Sequence, residues 1–298
     1  MNERPRPYVG ISGVVNEKKV LPSGLVVTEP QQLWLEAYAQ DVGMFDKTNR
    51  QLLLGVKGMH TNQFLDKTHT RDGEVQGPEW FPIGEESFAD ALGDSDKHPN
   101  TLGTAQVWLH PRHAGNAVYR DRFMNRIAWR GRKWLEAVQF DALDWHLDDN
   151  LLKYAQETRQ QRGFKVILQC TGEQMYSLKP QGVVRKLGEF AASMDYVLFD
   201  ASLGLGKDLE ADRLSPFLEA AYESNELSHV NFAIAGGLSG ENVNRQLSKL
   251  VQRFPEISWD AEGNLHRLNN AGKRPVQMDE AKDLIKNSTD LIIASSAK

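Results

Sequence analysis

The chain has 298 residues, 25% of them charged and 40% hydrophobic, close to the globular average. That composition excludes collagen, coiled coil and wholesale disorder, and a chain of this length buries a substantial core. Thirty-five basic against 40 acidic residues leave a formal charge of −5, which argues against a nonspecific nucleic-acid binder.

The single cysteine, Cys170, excludes an intrachain disulfide and a Cys-rich zinc site. A lone thiol suits a reducing, cytoplasmic setting. The opening MNERPRPYVG has charge but no apolar h-region, so it does not read as a secretory signal. No apolar run approaches the roughly 18 residues that span a bilayer, so no membrane partner is expected.

In chain order, residues 1–7 are expected to be a flexible N-terminus, and the first apolar run covers residues 8–15. Pro22-Ser23-Gly24 marks a loop, and residues 30–42 carry Leu33, Leu35, Ala37 and Tyr38 at helical spacing. The second run is 51–56. Residues 58–100 then mix polar and aromatic sequence with Gly73, Gly77, Pro78, Pro82 and Gly84, and read as an extended loop with a short helix at 85–92. The third and fourth runs, 105–109 and 135–140, flank a helix at 117–133. A helix at 149–161 and Gly163 precede the fifth run, 164–168. Helices at 182–194, 214–223 and 241–254 alternate with runs at 196–199, 231–235 and 257–259. A last helix covers 278–288.

Each run is short and rich in Val, Ile, Leu or Phe, as strands buried on both faces of a parallel sheet are. Eight such strands alternating with helices predict an α/β fold, a (β/α)8 TIM barrel with a long loop after strand 2. The barrel is expected to be one domain over 1–298, with 58–100 as a loop insertion. An open doubly wound sheet is the competing architecture, but no Gly-x-Gly-x-x-Gly follows the first strand. In a barrel the site lies at the C-terminal ends of the strands.

Two stretches there carry chemistry. Ile234-Ala235-Gly236-Gly237-Leu238-Ser239-Gly240-Glu241-Asn242-Val243 reads as strand, glycine turn and helix, with Ser239 a plausible N-cap. Gly236 and Gly237 let backbone approach a ligand, and the helix N-terminus favours phosphate. Phe199-Asp200-Ala201-Ser202-Leu203-Gly204-Leu205-Gly206-Lys207-Asp208 puts a carboxylate at a strand end, where it can act as general acid or base. A tight turn without ligand and a structural aspartate are the plainer readings of the two stretches.

Together these stretches resemble the phosphoribosylanthranilate isomerase family. That family pairs an aspartate and a Gly-x-Gly loop after strand 6 with Ala-Gly-Gly-Leu-x-x-Glu-Asn-Val after strand 7. Val138-Gln139 is similar to the start of its fourth strand, and Gly10-Ile11-Ser12-Gly13-Val14 lines up with its Lys-Ile-Cys-Gly-Ile. The resemblance implies an Amadori-type aldose–ketose isomerisation of a phosphorylated small molecule, with no cofactor and no metal. Asp200 matches the family's general acid. Gly204, Gly206, Gly236 and Gly237 match its ligand-holding loops.

The chain also departs from the family. Ser12 stands where the family has its cysteine base, and a hydroxyl without an activating partner is a poorer base than a thiol. Gly10 replaces a lysine. Lys57-Gly58-Met59-His60 follows strand 2 without the carboxylate-binding arginine. Ala261-Glu262-Gly263 replaces Ser-Ser-Gly, leaving Gly263 as the matching ligand contact beside a carboxylate repulsive to phosphate.

Other groups stay open. Cys170 ends the fifth strand and is either an alternative base or a buried hydrophobe. Asp141, Asp144, His146, Asp148, Asp149, His110 and His113 could hold a metal, or be solvated and cap a helix. His60, His69 and His98 read as surface histidines. The basic stripe from Arg120 to Lys133 reads as a solvated helix face. The leading expectation is an isomerase acting on an anionic small molecule, with Asp200 and Ser12 in the catalytic positions. The alternatives are a catalytically inactive ligand- or partner-binding barrel and a metal-dependent lyase or hydrolase.

Overall fold

A computed structural model describes residues 4–14, 16–58, 97–108, 125, 134–141, 153, 155–200, 209, 211–266 and 276–297. Each of the eight apolar runs forms a strand. They are β1 (Tyr8–Ser12), β4 (Gln51–Gly58), β5 (Thr101–Trp108), β6 (Ala137–Asp141), β7 (Lys165–Thr171), β8 (Tyr196–Asp200), β9 (Asn231–Ala235) and β10 (Ser258–Ala261). All pair in parallel with their sequence neighbours, and β1 closes the ring by pairing with β10 through Gly10↔Asp260. The fold is a (β/α)8 TIM barrel.

Period-two alternation sorts the side chains into two layers. One face of the strands fills the barrel interior with Tyr8, Leu53, Leu102, Ala137, Ile167, Tyr196, Leu198 and Ala233. The other face packs Val9, Ile11, Leu54, Val138, Leu168, Phe199, Phe232 and Trp259 against the helices. Fully burying one such large side chain contributes about 1.5–3 kcal/mol.

The helices present stripes to that outer layer. They are α1 (Gln31–Asp41), α2 (Met44–Lys47), α3 (Gly172–Gly188), α4 (Ala211–Glu223), α5 (Val243–Arg253) and α6 (Met278–Ser296). In α5, Val243, Gln246, Leu247, Leu250 and Val251 are buried, the i, i+3, i+4, i+7, i+8 spacing of one helical face. Helix α6 runs well past the expected end at 288, because Leu291 and Ile292 continue its buried face. Its Ser288 accepts a hydrogen bond from the Trp259 indole at 3.1 Å. Helix α3 starts ten residues before the expected 182. It is two helical pieces joined at Lys179 (φ 58°), where Pro180 begins the second piece.

One element was not expected. The first strand stops at Ser12, three residues short of 15, because Gly13 takes a left-handed φ of 88°. The chain then forms an antiparallel hairpin of β2 (Asn16–Val20) and β3 (Val26–Pro30), closed by Leu21 N–H on Leu25 O at 2.8 Å. Its first strand, Asn-Glu-Lys-Lys-Val, is too charged to show an apolar alternation. The loop expected at Pro22-Ser23-Gly24 is the hairpin tip.

At the N-terminal end of the barrel, Arg50 is 2% exposed and stacks on Trp259 at 4.4 Å. It donates to the carbonyls of Ile257 and Pro255, and burial lowers its pKa to about 10. Arg6 of the N-terminal segment donates to Asn100 Oδ1 at 2.8 Å and to Arg50 O at 3.0 Å. Residues 59–96, and with them most of the expected insertion, lie outside the described residues. So does most of the helix expected at 117–133. Among the described residues, no helix is long and apolar enough to cross a membrane.

Candidate active site

The inward face of each strand turns from apolar to polar toward its C-terminal end. In β6 the inward positions read Ala137, Gln139, Asp141, and in β8 they read Tyr196, Leu198, Asp200. In β10 Ser258 is followed by Asp260. Three aspartates from alternate strands therefore ring one mouth, and Gln106 and Gln169 come from β5 and β7. The mouth holds a small depression open to solvent. Asp141, Asp200, Asp260 and Glu262 line it together with Gln139, Gln169, Gly236, Gly237 and Gly263.

Asp200 stands where the sequence expectation put it, 4% exposed and facing the depression. Its Oδ2 accepts a hydrogen bond from Gln169 Nε2 at 2.9 Å. Asp141 is held in the same way, its Oδ1 accepting from Gln139 Nε2 at 2.8 Å. Gly236, Gly237 and Gly263 all reach the depression.

The glycine turn is built differently from the expectation. The N-cap of α5 is Asn242, not Ser239. The Asn242 side chain accepts from Ser239 N–H at 2.8 Å and donates to Gly237 O at 2.7 Å, so it ties the turn to itself. Asn264 Nδ2 donates to the same Gly237 carbonyl at 2.6 Å. With φ of 141° and 54°, Gly236 and Gly237 occupy backbone that side-chain-bearing residues rarely adopt.

Ser12 is fully buried and lies behind the depression rather than in its lining. Its hydroxyl donates to the Asp260 carboxyl, 2.9 Å from Oδ1 and 2.8 Å from Oδ2, and accepts from Gln106 Nε2. Gln106 Nε2 also lies 3.4 Å from Asp260 Oδ2. Two glycines make room for this network. A Cβ on Gly10 would sit 2.7 Å from Asp260 Oδ1, and one on Gly55 would sit 3.1 Å from Ser12 Oγ. The lysine that the resembled family carries at the first of these positions has no space here.

Asp260 is the group that sequence reasoning missed. The eighth run was ended at 259, one residue short of it. Burial drives its pKa from 3.8 up to about 8. The Ser12 hydrogen bond opposes the rise, and the charges of Glu262, Asp141 and Asp200 add to it. The inward alternation Ser258, Asp260 was the signal that could have found it.

Cys170 faces the outer layer, wholly buried among hydrophobic side chains, and burial pushes its thiol pKa far up. The alternative-base reading of Cys170 is therefore corrected: it is the buried hydrophobe. His98 stacks on Phe45 with centroids 4.3 Å apart, a packing role. Gly204, Gly206 and Lys207 lie outside the described residues, as do Asp144, His146, Asp148, Asp149, His110, His113, His60, His69 and the basic stripe. Among the described residues no cluster of three or more His, Cys, Asp or Glu side chains is arranged to hold a metal ion.

No family model matches the chain, and neither does any curated protein. Among solved structures, octameric ribulose-1,5-bisphosphate carboxylase/oxygenase (Rubisco) from Pyrococcus horikoshii OT3 matches at TM-score 0.50 and 10% identity, over 98% of this chain and 60% of that one. The same protein in complex with sulfate ion matches at 0.51 and 11%, over 98% and 59%. A native KDPGal structure matches at 0.46 and 11%, over 100% of both chains. The chain thus spans about 60% of the length of the Rubisco chains. At these identities the likeness is one of fold, and by fold the chain is a TIM barrel whose acidic mouth opens at the C-terminal ends of its strands.

Proposed function

We propose that the protein is an acid–base isomerase of the aldose–ketose type, acting on a phosphorylated small molecule as the resembled isomerases do. The observation that carries this reading is the pairing of Asp260 with Asp200 at one depression. Asp260 keeps its proton until about pH 8, and Asp200 lines the same depression with its Oδ2 accepting from Gln169 Nε2. A carboxyl that keeps its proton at neutral pH beside a second carboxyl supplies the acid and the candidate base of a two-proton isomerisation.

In the open-chain sugar, Asp200 takes the C2 proton while Asp260 gives its proton to the carbonyl oxygen. The product is a neutral enediol. Asp260 then removes the O2 proton and Asp200 returns its proton to C1, which completes the ketose and restores both groups. This assignment makes Asp200 the base, whereas the resemblance implies that it is the acid. Ser12 becomes a positioning residue that orients the Asp260 carboxyl. The backbone at Gly236 and Gly237, which lines the depression, is the candidate seat for a phosphate.

The test is solvent-proton exchange. Purified protein is incubated in D2O with phosphoribosylanthranilate and a panel of aldose and ketose phosphates, and deuterium at C1 and C2 is read by mass spectrometry. Uptake that disappears in Asp260→Asn and in Asp200→Asn is the expected result. Absence of exchange across the panel by folded protein would overturn the proposal.

A further inference from the structure

Behind the depression, side chains from three strands form one hydrogen-bonded line. Gln106 of β5 donates from Nε2 to Ser12 Oγ of β1, and the Ser12 hydroxyl donates to the Asp260 carboxyl of β10. Ser12 Oγ lies almost evenly between the two carboxyl oxygens, at 2.9 and 2.8 Å. Gln106 and Ser12 are both buried, whereas Asp260 lines the depression. Every hydrogen in the line therefore points at Asp260.

The Gln106 amide fixes that direction. A hydroxyl has one hydrogen, and the Ser12 hydrogen can turn away from Asp260 only to another acceptor. Gln106 presents it with a donor instead. Turned over, the amide would set its oxygen where Nε2 now lies, 3.4 Å from Asp260 Oδ2. Two oxygens there repel each other once the carboxyl ionises. The fold keeps Nε2 toward Ser12 although Oε1 is then enclosed without a hydrogen-bond partner among the described residues, an arrangement that is itself unfavourable.

We infer that Gln106 is a positioning residue that acts through Ser12: it commits the Ser12 hydrogen to Asp260, so that the acid proton of Asp260 is turned out into the depression. The inference rests on reading Asp260 as the acid of this mouth. When that proton leaves, the same line supplies the donors that hold the carboxylate.

The experiment follows the Asp260 carboxyl band by infrared difference spectroscopy from about pH 4 to 11, without substrate, with Asp260→Asn as the blank. Gln106→Met removes the donor, and Gln106→Asn stops it one methylene short. Loss of the donor disfavours the ionised carboxyl and frees the Ser12 oxygen to accept the acid proton, and both effects raise the midpoint. The expected rise is about one pH unit in either variant, a tenfold fall in the ionisation constant. Ser12→Ala should raise it too. Tyr8→Phe, which removes an equally buried neutral hydroxyl from the inner face, should leave it unmoved. Asp141 and Asp200 act on Asp260 from the ends of β6 and β8, Glu262 from beyond β10 and Tyr8 from β1, while His266 Nε2 lies 3.1 Å from the Ser12 carbonyl. All of them are retained in the two Gln106 variants. Circular dichroism verifies that each variant is folded.

An unchanged or lowered midpoint in the folded Gln106 variants would overturn the inference. So would an equal rise in Tyr8→Phe, which would mark a general loosening of the core. A raised midpoint without deuterium exchange would uphold this inference and remove the isomerase reading. Exchange with an unmoved midpoint would do the reverse.

Discussion

Replacing Asp260 by Asn should make the protein more stable at neutral pH while removing the proposed acid–base chemistry. In the unfolded chain the carboxyl ionises near 3.8, and in the fold it keeps its proton until about pH 8. Between those values the folded state holds the extra proton. Stability from this group is therefore fully present below about pH 4 and is lost as pH rises toward 8. Each pH unit inside that window costs about 1.4 kcal/mol, so by pH 7 the accumulated penalty reaches the order of 4 kcal/mol. An amide of the same shape never ionises and escapes the penalty. It can still accept from Ser12, and turning over the Gln106 amide lets the enclosed Gln106 Oε1 take its N–H. Urea unfolding of both proteins across about pH 5 to 9 measures the effect through the midpoint at constant slope. The variant should gain on the wild type steadily up to about pH 8 and then hold a constant lead. A variant that is less stable at pH 7, or two parallel pH profiles, would refute the reasoning.

Three further outcomes follow from the same geometry. Tyr8→Phe removes a buried hydroxyl that has no partner, so thermal unfolding should show stability unchanged or raised by up to about 1 kcal/mol. A clear loss would mean that the hydroxyl is satisfied. Gly10→Ala drives a Cβ to 2.7 Å from Asp260 Oδ1. It should cost about 1–3 kcal/mol in chemical denaturation and lower any exchange activity more than it lowers folding yield, and a neutral result would contradict the packing. Cys170 should resist thiol-labelling reagents in the native protein and react only on unfolding, since it is enclosed and its thiolate is disfavoured. Rapid native labelling would return it to the mouth.

The barrel was legible because its signal is local and repeated. Short apolar runs, each followed by a glycine or polar turn and a helical stripe, specify one βα unit at a time, and residues 231–235 read as a strand with both ends correct. Asp200 and the Gly236-Gly237 turn were legible for a related reason, because each ends a strand whose apolar run is unmistakable. The hairpin at Asn16–Val20 and Val26–Pro30 was not, since a charged strand pairing with its neighbour carries no burial pattern. Asp260 was hidden by closing a strand at its last apolar residue, although barrel strands turn polar at the end that carries the site. Its partnership with Ser12 joins residues 248 positions apart in sequence, and only ring closure between β1 and β10 brings them together. The role of Ser12 followed the same course. Its position was read correctly from strand 1, while its partner could not be named without the closure.

The protonation state of Asp260 is the point on which the acid–base account turns. Infrared difference spectra between about pH 6 and pH 9.5, recorded for the wild type and for Asp260→Asn, read the carboxyl C=O band directly. The account predicts a protonated-carboxyl band at the lower pH that titrates away with a midpoint near 8 and is missing from the variant. A wild-type protein without that band at about pH 6, its carboxyls all ionised in the ordinary range, would contradict it.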